Sequence, residues 1–324
     1  MANTWYLQDD GDLEFCYRIP GRSLEDDEVE DAEQLLHVAQ VESLNLGSSA
    51  VYRVDTVLPS SGRRVIARGQ VIETTGKRFH VLREITDIVP QLGDKLWSYP
   101  LHLQKLLLSP SYSQGGLILI GGAGGSGKST TAAATMVSRL RIFGGVAFTV
   151  ENPPEYFLNG LHGKGVCFQF AIREEDDFRI KILDALRGYP AGSENSILMV
   201  GEIRTPEVAA LAIESGLSGH LVITNIHGMS IETTLARIES LASQISGKEA
   251  ARRDLAECFR VAIHQRLLRK KDDLIEYMPT VLVSNGQDSV SSKIRDGQYH
   301  SLNSEIAQQN TLLARTGSPF FSDN

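Results

Sequence analysis

Residues 121–130 read GGAGGSGKST. Gly122, Gly127, Lys128 and Ser129 fit the pattern G-x-x-x-x-G-K-[ST], and each residue type there has a physical reason. Glycines let the backbone curl until successive N–H groups point inward, and a helix starting at Lys128 adds its positive end to the same hollow. In that arrangement Lys128 reaches the β- and γ-phosphates of a nucleotide, while the Ser129 hydroxyl suits Mg2+. The expected nucleotide-binding set is Gly122, Ala123, Gly124, Gly125, Ser126, Gly127, Lys128, Ser129 and Thr130, with ATP and Mg2+ as cofactors. A plain glycine-rich turn leading into a helix leaves Lys128 and Ser129 unexplained.

The flanks supply the strand-then-helix context that the motif requires. Leu117–Ile120 reads as a buried strand, Lys128–Ile142 as a helix stopped by Gly144 and Gly145, and Val146–Val150 as a second strand, the start of a parallel α/β sheet. Glu174–Arg187 reads as an amphipathic helix, Ile197–Val200 as a third strand and His220–Thr224 as a fourth. Thr205 is the expected cap of a helix that begins at Pro206. Two more helices are expected, one aligning Ile231, Leu235, Ile238, Leu241 and Ile245, the other running from about Glu249 to Gln265. Ligands of such sheets lie beyond the carboxyl ends of the strands. That makes Glu202, just past the third strand, and Glu151, just past the second, the candidates for activating water. Gly201 stands where many enzymes with this loop carry an Asp beside the metal, which leaves Ser129 and water to hold the ion.

Residues 1–108 read as a small α+β module, 109–116 (SPSYSQGG) as a linker, and 117–324 as the α/β domain with its C-terminal helices. In the module, SLEDDEVEDAEQLLHVAQVESLNL predicts a helix capped by Ser23. Its stripe of Val29, Ala32, Leu35, Leu36 and Ala39 packs inward and its acids face water. Ala50–Leu58, Arg64–Glu73 and Arg78–Ile85 predict three strands of a meander. Of the 324 residues, 42% are hydrophobic and 22% charged, which excludes dominant disorder; a net charge of -8 argues against a general grip on nucleic acid or anionic lipid. Cys16, Cys167 and Cys258 are too scattered for a disulfide framework or a thiolate metal site and read as small buried hydrophobes in a reducing compartment. The N-terminal segment lacks the basic and apolar regions of a secretory signal, and no apolar run is long enough for a membrane span, so a cytoplasmic or peripheral location is expected. The cluster Arg266, Arg269, Lys270 and Lys271 has no interleaved aromatics and reads as a solvated helix-to-strand turn.

Four blocks in order resemble one family, the secretion-type ATPases of type II and type IV secretion, type IV pili and conjugation. GGAGGSGKSTT at 121–131 is similar to that family's Walker A, TVENPPEY at 149–156 to its Asp box, VGEIRTPEVAALAIESGLSGHLVITNIHG at 200–228 to its Walker B and His box, and QRLL at 265–268 to a Q-x-L-L element. The resemblance covers roughly residues 80–305. It implies a RecA-like P-loop NTPase domain behind a small α+β, PAS-like N-terminal domain. It also implies Mg-dependent ATP hydrolysis by a homohexamer on the cytoplasmic face of an inner membrane, working with inner-membrane platform proteins; the acidic net charge adds the expectation of no direct nucleic-acid binding. The implied catalytic residues are Glu202, polarising the attacking water, Glu151 near metal and γ-phosphate, Lys128, and His227 as a γ-phosphate sensor. His220 matches the other His-box position, Arg204 a family arginine, and Arg83 an arginine that the N-terminal domain supplies to nucleotide.

The sequence also departs from the family pattern. Asn152 replaces the usual Asp of the Asp box, Thr205 an acid and Gly228 a Thr. SVSSKIRDG at 289–297 stands where retraction enzymes carry A-I-R-N-L-I-R. The expectation is therefore a DotB-like or TraJ-like motor for type IV secretion or conjugative transfer, or for a type IV pilus. The alternatives are a pilus retraction ATPase proper, a RecA-like motor acting on nucleic acid, and a ring subunit that binds ATP without hydrolysing it.

Overall fold

The computed structural model describes residues 3–319 apart from 13–15, 20–21, 26–27, 45–50, 86–88, 95–98, 173–176, 193–194, 270–274 and 285–287. The chain forms two compact units, one of residues 1–88 with 153–157, the other of residues 89–152 with 158–324. The first break falls ahead of the expected boundary at 108.

In the first unit, β1 (Thr4–Gln8), β2 (Tyr17–Ile19), β3 (Arg22–Ser23), β4 (Val51–Val57), β5 (Arg64–Thr74) and β6 (Lys77–Ile85) form one sheet in the order β3-β2-β1-β6-β5-β4. Every pairing is antiparallel. Helix α1 (Val29–Ser43) buries Ala32, Leu35, Leu36 and Ala39 with Trp5, Leu7, Val54, Ala67 and Leu82 of the sheet. The three strands of the expected meander are present as β4, β5 and β6. The expected cap is not: Ser23 lies in β3, and α1 begins after Glu28. Glu28 is buried, accepts the Glu25 N–H at 3.0 Å and pairs with Arg18, which organises the chain just ahead of the helix. Nor do all the acids of α1 face water. Asp31 is buried and accepts both the N–H and the hydroxyl of Ser60, at 2.9 and 2.6 Å, fastening the turn between β4 and β5.

The second unit starts with the helix α2 (Leu101–Leu107). Its eight-stranded sheet contains β7 (Gly116–Gly121), β8 (Gly145–Glu151), β9 (Gly160–His162), β10 (Gly165–Ala171), β11 (Ser196–Val200), β12 (Leu221–Ile226), β13 (Phe259–Arg269) and β14 (Ile275–Val283). Their order is β14-β13-β7-β12-β11-β8-β10-β9, parallel except for the two edge strands β9 and β14. Strands buried on both faces should read as unbroken apolar runs, and Leu117, Ile118, Leu119 and Ile120 of β7 have no exposed surface at all. Each such side chain contributes roughly 1.5–3 kcal/mol of transfer free energy. The helices are α3 (Lys128–Phe143), α4 (Asp177–Gly188), α5 (Pro206–Leu217), α6 (Ile231–Ser246), α7 (Lys248–Cys258), α8 (Ser289–Asp296) and α9 (Asn303–Thr316). Thr205 caps α5 through a hydrogen bond from the Val208 N–H, as expected. The expected start of α4 at Glu174 lies outside the described residues.

Two expectations for this unit fail. The helix expected to reach Gln265 stops at Cys258, and Phe259–Arg269 is a strand inserted beside β7. The apolar run satisfies either period, and the vacant edge of β7 decides in favour of a strand. Arg266 therefore projects from β13 rather than from a turn, while Lys270 and Lys271 lie outside the described residues. Residues 109–116 are also no free linker. A 3-10 turn at Pro110–Gln114 buries Tyr112. Buried Arg139 of α3 donates to the carbonyls of Leu107 and Ser109 at 3.0 and 2.9 Å and to the Ser113 hydroxyl at 3.3 Å. All three cysteines are free and buried.

Candidate phosphate-binding site

The loop 121–127 leaves β7 and enters α3. Gly122, Gly125 and Gly127 hold φ of 145°, 74° and 81°, a region that favours glycine, and the curl depends on it. A Cβ on Gly122 would lie 2.6 Å from both the Gln265 carbonyl oxygen and the Ser126 hydroxyl. The Lys128 ammonium bends back over the loop, donating to the carbonyls of Gly122 and Ala123 at 3.0 and 2.9 Å. Ala123, Gly124 and Gly125 are exposed, whereas Ser126 is buried with its hydroxyl oxygen unpartnered. A buried hydroxyl without a partner, a lysine over the loop and a glycine where no Cβ fits are the features of a phosphate cradle, so the residues present fit a nucleotide phosphate chain. Ser129 at the head of α3 is half-buried and is the candidate for Mg2+. Among the described residues no group of three or more His, Cys, Asp or Glu could hold a metal ion.

Parallel register brings the other candidates to the same edge. Gly121 of β7 is opposite Ile226 of β12, Thr224 of β12 is opposite Val200 of β11, and Val200 is opposite Val150 of β8. The loop, Glu202 and Glu151 thus all leave from strand carboxyl ends, with β11 roughly 10 Å and β8 roughly 14 Å from β7 at ordinary strand spacing. Glu202 accepts from Arg204 Nε and Nη2 at 2.9 and 2.7 Å, and its other oxygen lies 2.9 Å from His227 Nε2. Glu151 is buried and accepts from Gln169 Nε2 at 2.9 Å. Gly201 now has a local reason. Its Cβ would stand 3.3 Å from both Cα and Cγ of Glu151, so a side chain there crowds the base of that residue.

His220 is elsewhere. It precedes β12 at the amino edge, where its carbonyl accepts from the Gly116 N–H, and its ring stacks on Tyr189 at 4.5 Å. Six strand residues, roughly 20 Å, separate it from the cradle. Arg83 is exposed on β6, opposite Arg68 and Thr4, in the first unit. Two residues beside the loop were not singled out from sequence. His264 of β13 stands opposite Gly121. Burial first, then the Arg266 and Lys128 charges, holds its imidazole below the ordinary 6.5. Gln265, fully buried, donates to the Ser126 carbonyl at 2.5 Å. Its place in QRLL was the only signal, and nothing local tied that motif to a loop 139 residues away.

A mainly parallel α/β sheet in which an interior strand runs into this loop, with two glutamates leaving the same edge, defines a P-loop protein. The chain belongs to the Type II/IV secretion system protein family, whose model matches residues 81–310. Type II secretion system protein E of Xanthomonas campestris pv. campestris is 32% identical over 181 residues, 56% of this chain and 28% of that protein. Competence protein ComGA of Halalkalibacterium halodurans is 31% identical over 168 residues, 52% of this chain and 43% of that protein. The chain thus spans under half the length of these curated relatives. Among solved structures, the pilus retraction motor PilT with bound ADP superposes with a TM-score of 0.72 at 24% identity, over 97% of this chain and 88% of that one. The Legionella pneumophila ATPase DotB gives 0.65 at 24% identity, over 98% and 85%. The shared fold includes the small antiparallel N-terminal sheet.

Proposed function

We propose that this chain hydrolyses ATP as a Mg2+-dependent motor subunit of a secretion, conjugative-transfer or type IV pilus machine. The observation that carries this is the common edge: the phosphate cradle with Lys128, the Glu202–His227 pair and Glu151 all lie at carboxyl ends of neighbouring parallel strands. Lys128 and the loop amides would hold the phosphates, and Ser129 would take a bound Mg2+, which supplies charge neutralisation there. Glu202 would accept the proton of the attacking water, with His227 fixing the carboxylate's orientation. In the arrangement seen, Arg204 occupies one oxygen of Glu202. That oxygen must be released before it can act as a base, and an incoming γ-phosphate is a competing anion for the guanidinium.

As further parts of this reading, the active form is a homohexamer peripheral to the cytoplasmic face of the inner membrane, docked on platform proteins, and Arg83 serves a nucleotide from the first unit. Support comes from family membership and from the lack, among the described residues, of any helix long and apolar enough to cross a membrane.

The test is phosphate release by purified protein. Wild type turns over with Mg2+; Glu202→Gln keeps nucleotide binding and loses about 10²- to 10⁴-fold in kcat; Lys128→Ala loses binding. Equal background rates in wild type and Glu202→Gln would refute the catalytic assignment. A rate that rises on addition of DNA would transfer the reading to a nucleic-acid motor, and native mass spectrometry with ATP and Mg2+ tests the hexamer.

A further inference from the structure

A loop that points its N–H groups at a ligand must turn carbonyls outward, and those carbonyls need partners. Lys128 serves Gly122 and Ala123. Ser126 is served from another element. Gln265 of β13 places Nε2 2.5 Å from the Ser126 carbonyl oxygen, while the phenol of Tyr277 on the neighbouring β14 donates to Gln265 Oε1 at 2.9 Å. Burial pushes the Tyr277 phenol far above its ordinary 10, so it stays a donor and its proton fixes which way round the Gln265 amide sits. Tyr277 packs edge-on against Tyr99 at 5.0 Å, and the Tyr99 hydroxyl lies 3.2 Å from the Thr131 hydroxyl in the first turn of α3. Gln265, Tyr99, Tyr277 and Thr131 are all buried.

We propose that Gln265 and Tyr277 are positioning residues for the phosphate cradle. A trans peptide directs its carbonyl and N–H to opposite sides. Holding the Ser126 carbonyl against Gln265 therefore turns the Gly127 N–H away from β13. The Gln265 backbone approaches from the same side, since its carbonyl oxygen is what a Cβ on Gly122 would strike at 2.6 Å. Side chain and backbone of one residue thus set the outer wall of the curl, and Tyr277 orients that side chain. Glutamate at 265 could not substitute, because a carboxylate oxygen would face the Ser126 carbonyl.

The binding arm of the test rests on the nucleotide reading above; the exchange arm does not. Hydrogen exchange of residues 121–131 is measured on the nucleotide-free full chain, and affinity with a fluorescent N-methylanthraniloyl ADP plus Mg2+. Tyr277→Phe keeps the ring and removes only the hydroxyl; it should speed exchange across the loop and raise the Kd about five- to tenfold. Gln265→Glu should raise both further. Val281→Ala, a buried β14 change outside this group, serves as the control for stability loss and should leave both readouts at wild-type values. Unchanged exchange and Kd in Tyr277→Phe and Gln265→Glu would overturn the proposal, as would Val281→Ala reproducing their effects. If wild type fails to bind the ADP probe while Tyr277→Phe still loosens the loop, the nucleotide reading falls and the positioning role stands.

Discussion

Gly201 offers the most direct test of the arrangement at the strand ends. Replacing it with Ala puts a Cβ 3.3 Å from Cα and Cγ of Glu151 and 3.4 Å from its Cβ. The backbone there is not in the left-handed region, so the cost is crowding alone, about 1–2 kcal/mol for overpacking against the buried Glu151 side chain. Gly201→Asp adds a second carboxylate beside the buried Glu151. At about 6 Å and an effective dielectric near 20, two like charges repel by about 3 kcal/mol, bringing the total to about 4–5 kcal/mol. With about 2–4 °C of Tm per kcal/mol for a unit of this size, Ala should lower the second unit's transition by about 2–8 °C and Asp by about 8–20 °C. Calorimetry at neutral pH gives both. If Asp and Ala were equally stable at neutral pH, Glu151 would not lie where the geometry places it. If Ala matched wild type, the crowding argument would fail as well. Tighter Mg2+ dependence in Gly201→Asp with no loss of stability would mean that this place accepts the metal-holding Asp after all.

Arg139→Met should cost about 2–4 kcal/mol, because it orphans the Leu107 and Ser109 carbonyls while recovering the desolvation of a buried charge. Denaturant unfolding measures the loss, and a variant as stable as wild type would show that residues 107–113 hold their place without the guanidinium. His264 should titrate below 6.5 in the free protein. Because its unfolded pKa is the higher one, protons favour the unfolded chain as pH falls through that range, and this residue then lowers stability. Phosphate charge beside Lys128 should raise its pKa; imidazole resonances followed by NMR with and without ADP give the sign, and an unmoved titration would place His264 outside the phosphate field.

Short-range chemistry was enough to read the cradle. Gly122, Gly127, Lys128 and Ser129 are adjacent, so the loop needs only its own φ angles and the next helix. The strands flanking it were legible too, because β7, β8, β11 and β12 are buried on both faces and carry matching apolar runs. The limits appear where an element's fate depends on a distant neighbour. Phe259–Arg269 fits a helix or a strand by pattern, and the open edge of β7 chose the strand. Residues 109–116 have the composition of a linker, yet Arg139 binds them into the second unit. His220 and His227 stand seven positions apart in one motif, and an extended β12 carries them to opposite edges of the sheet. Gln265 meets Ser126 across 139 residues of chain. Hydrogen bonds and burial between remote segments are set by topology, and no local window of residues contains that information.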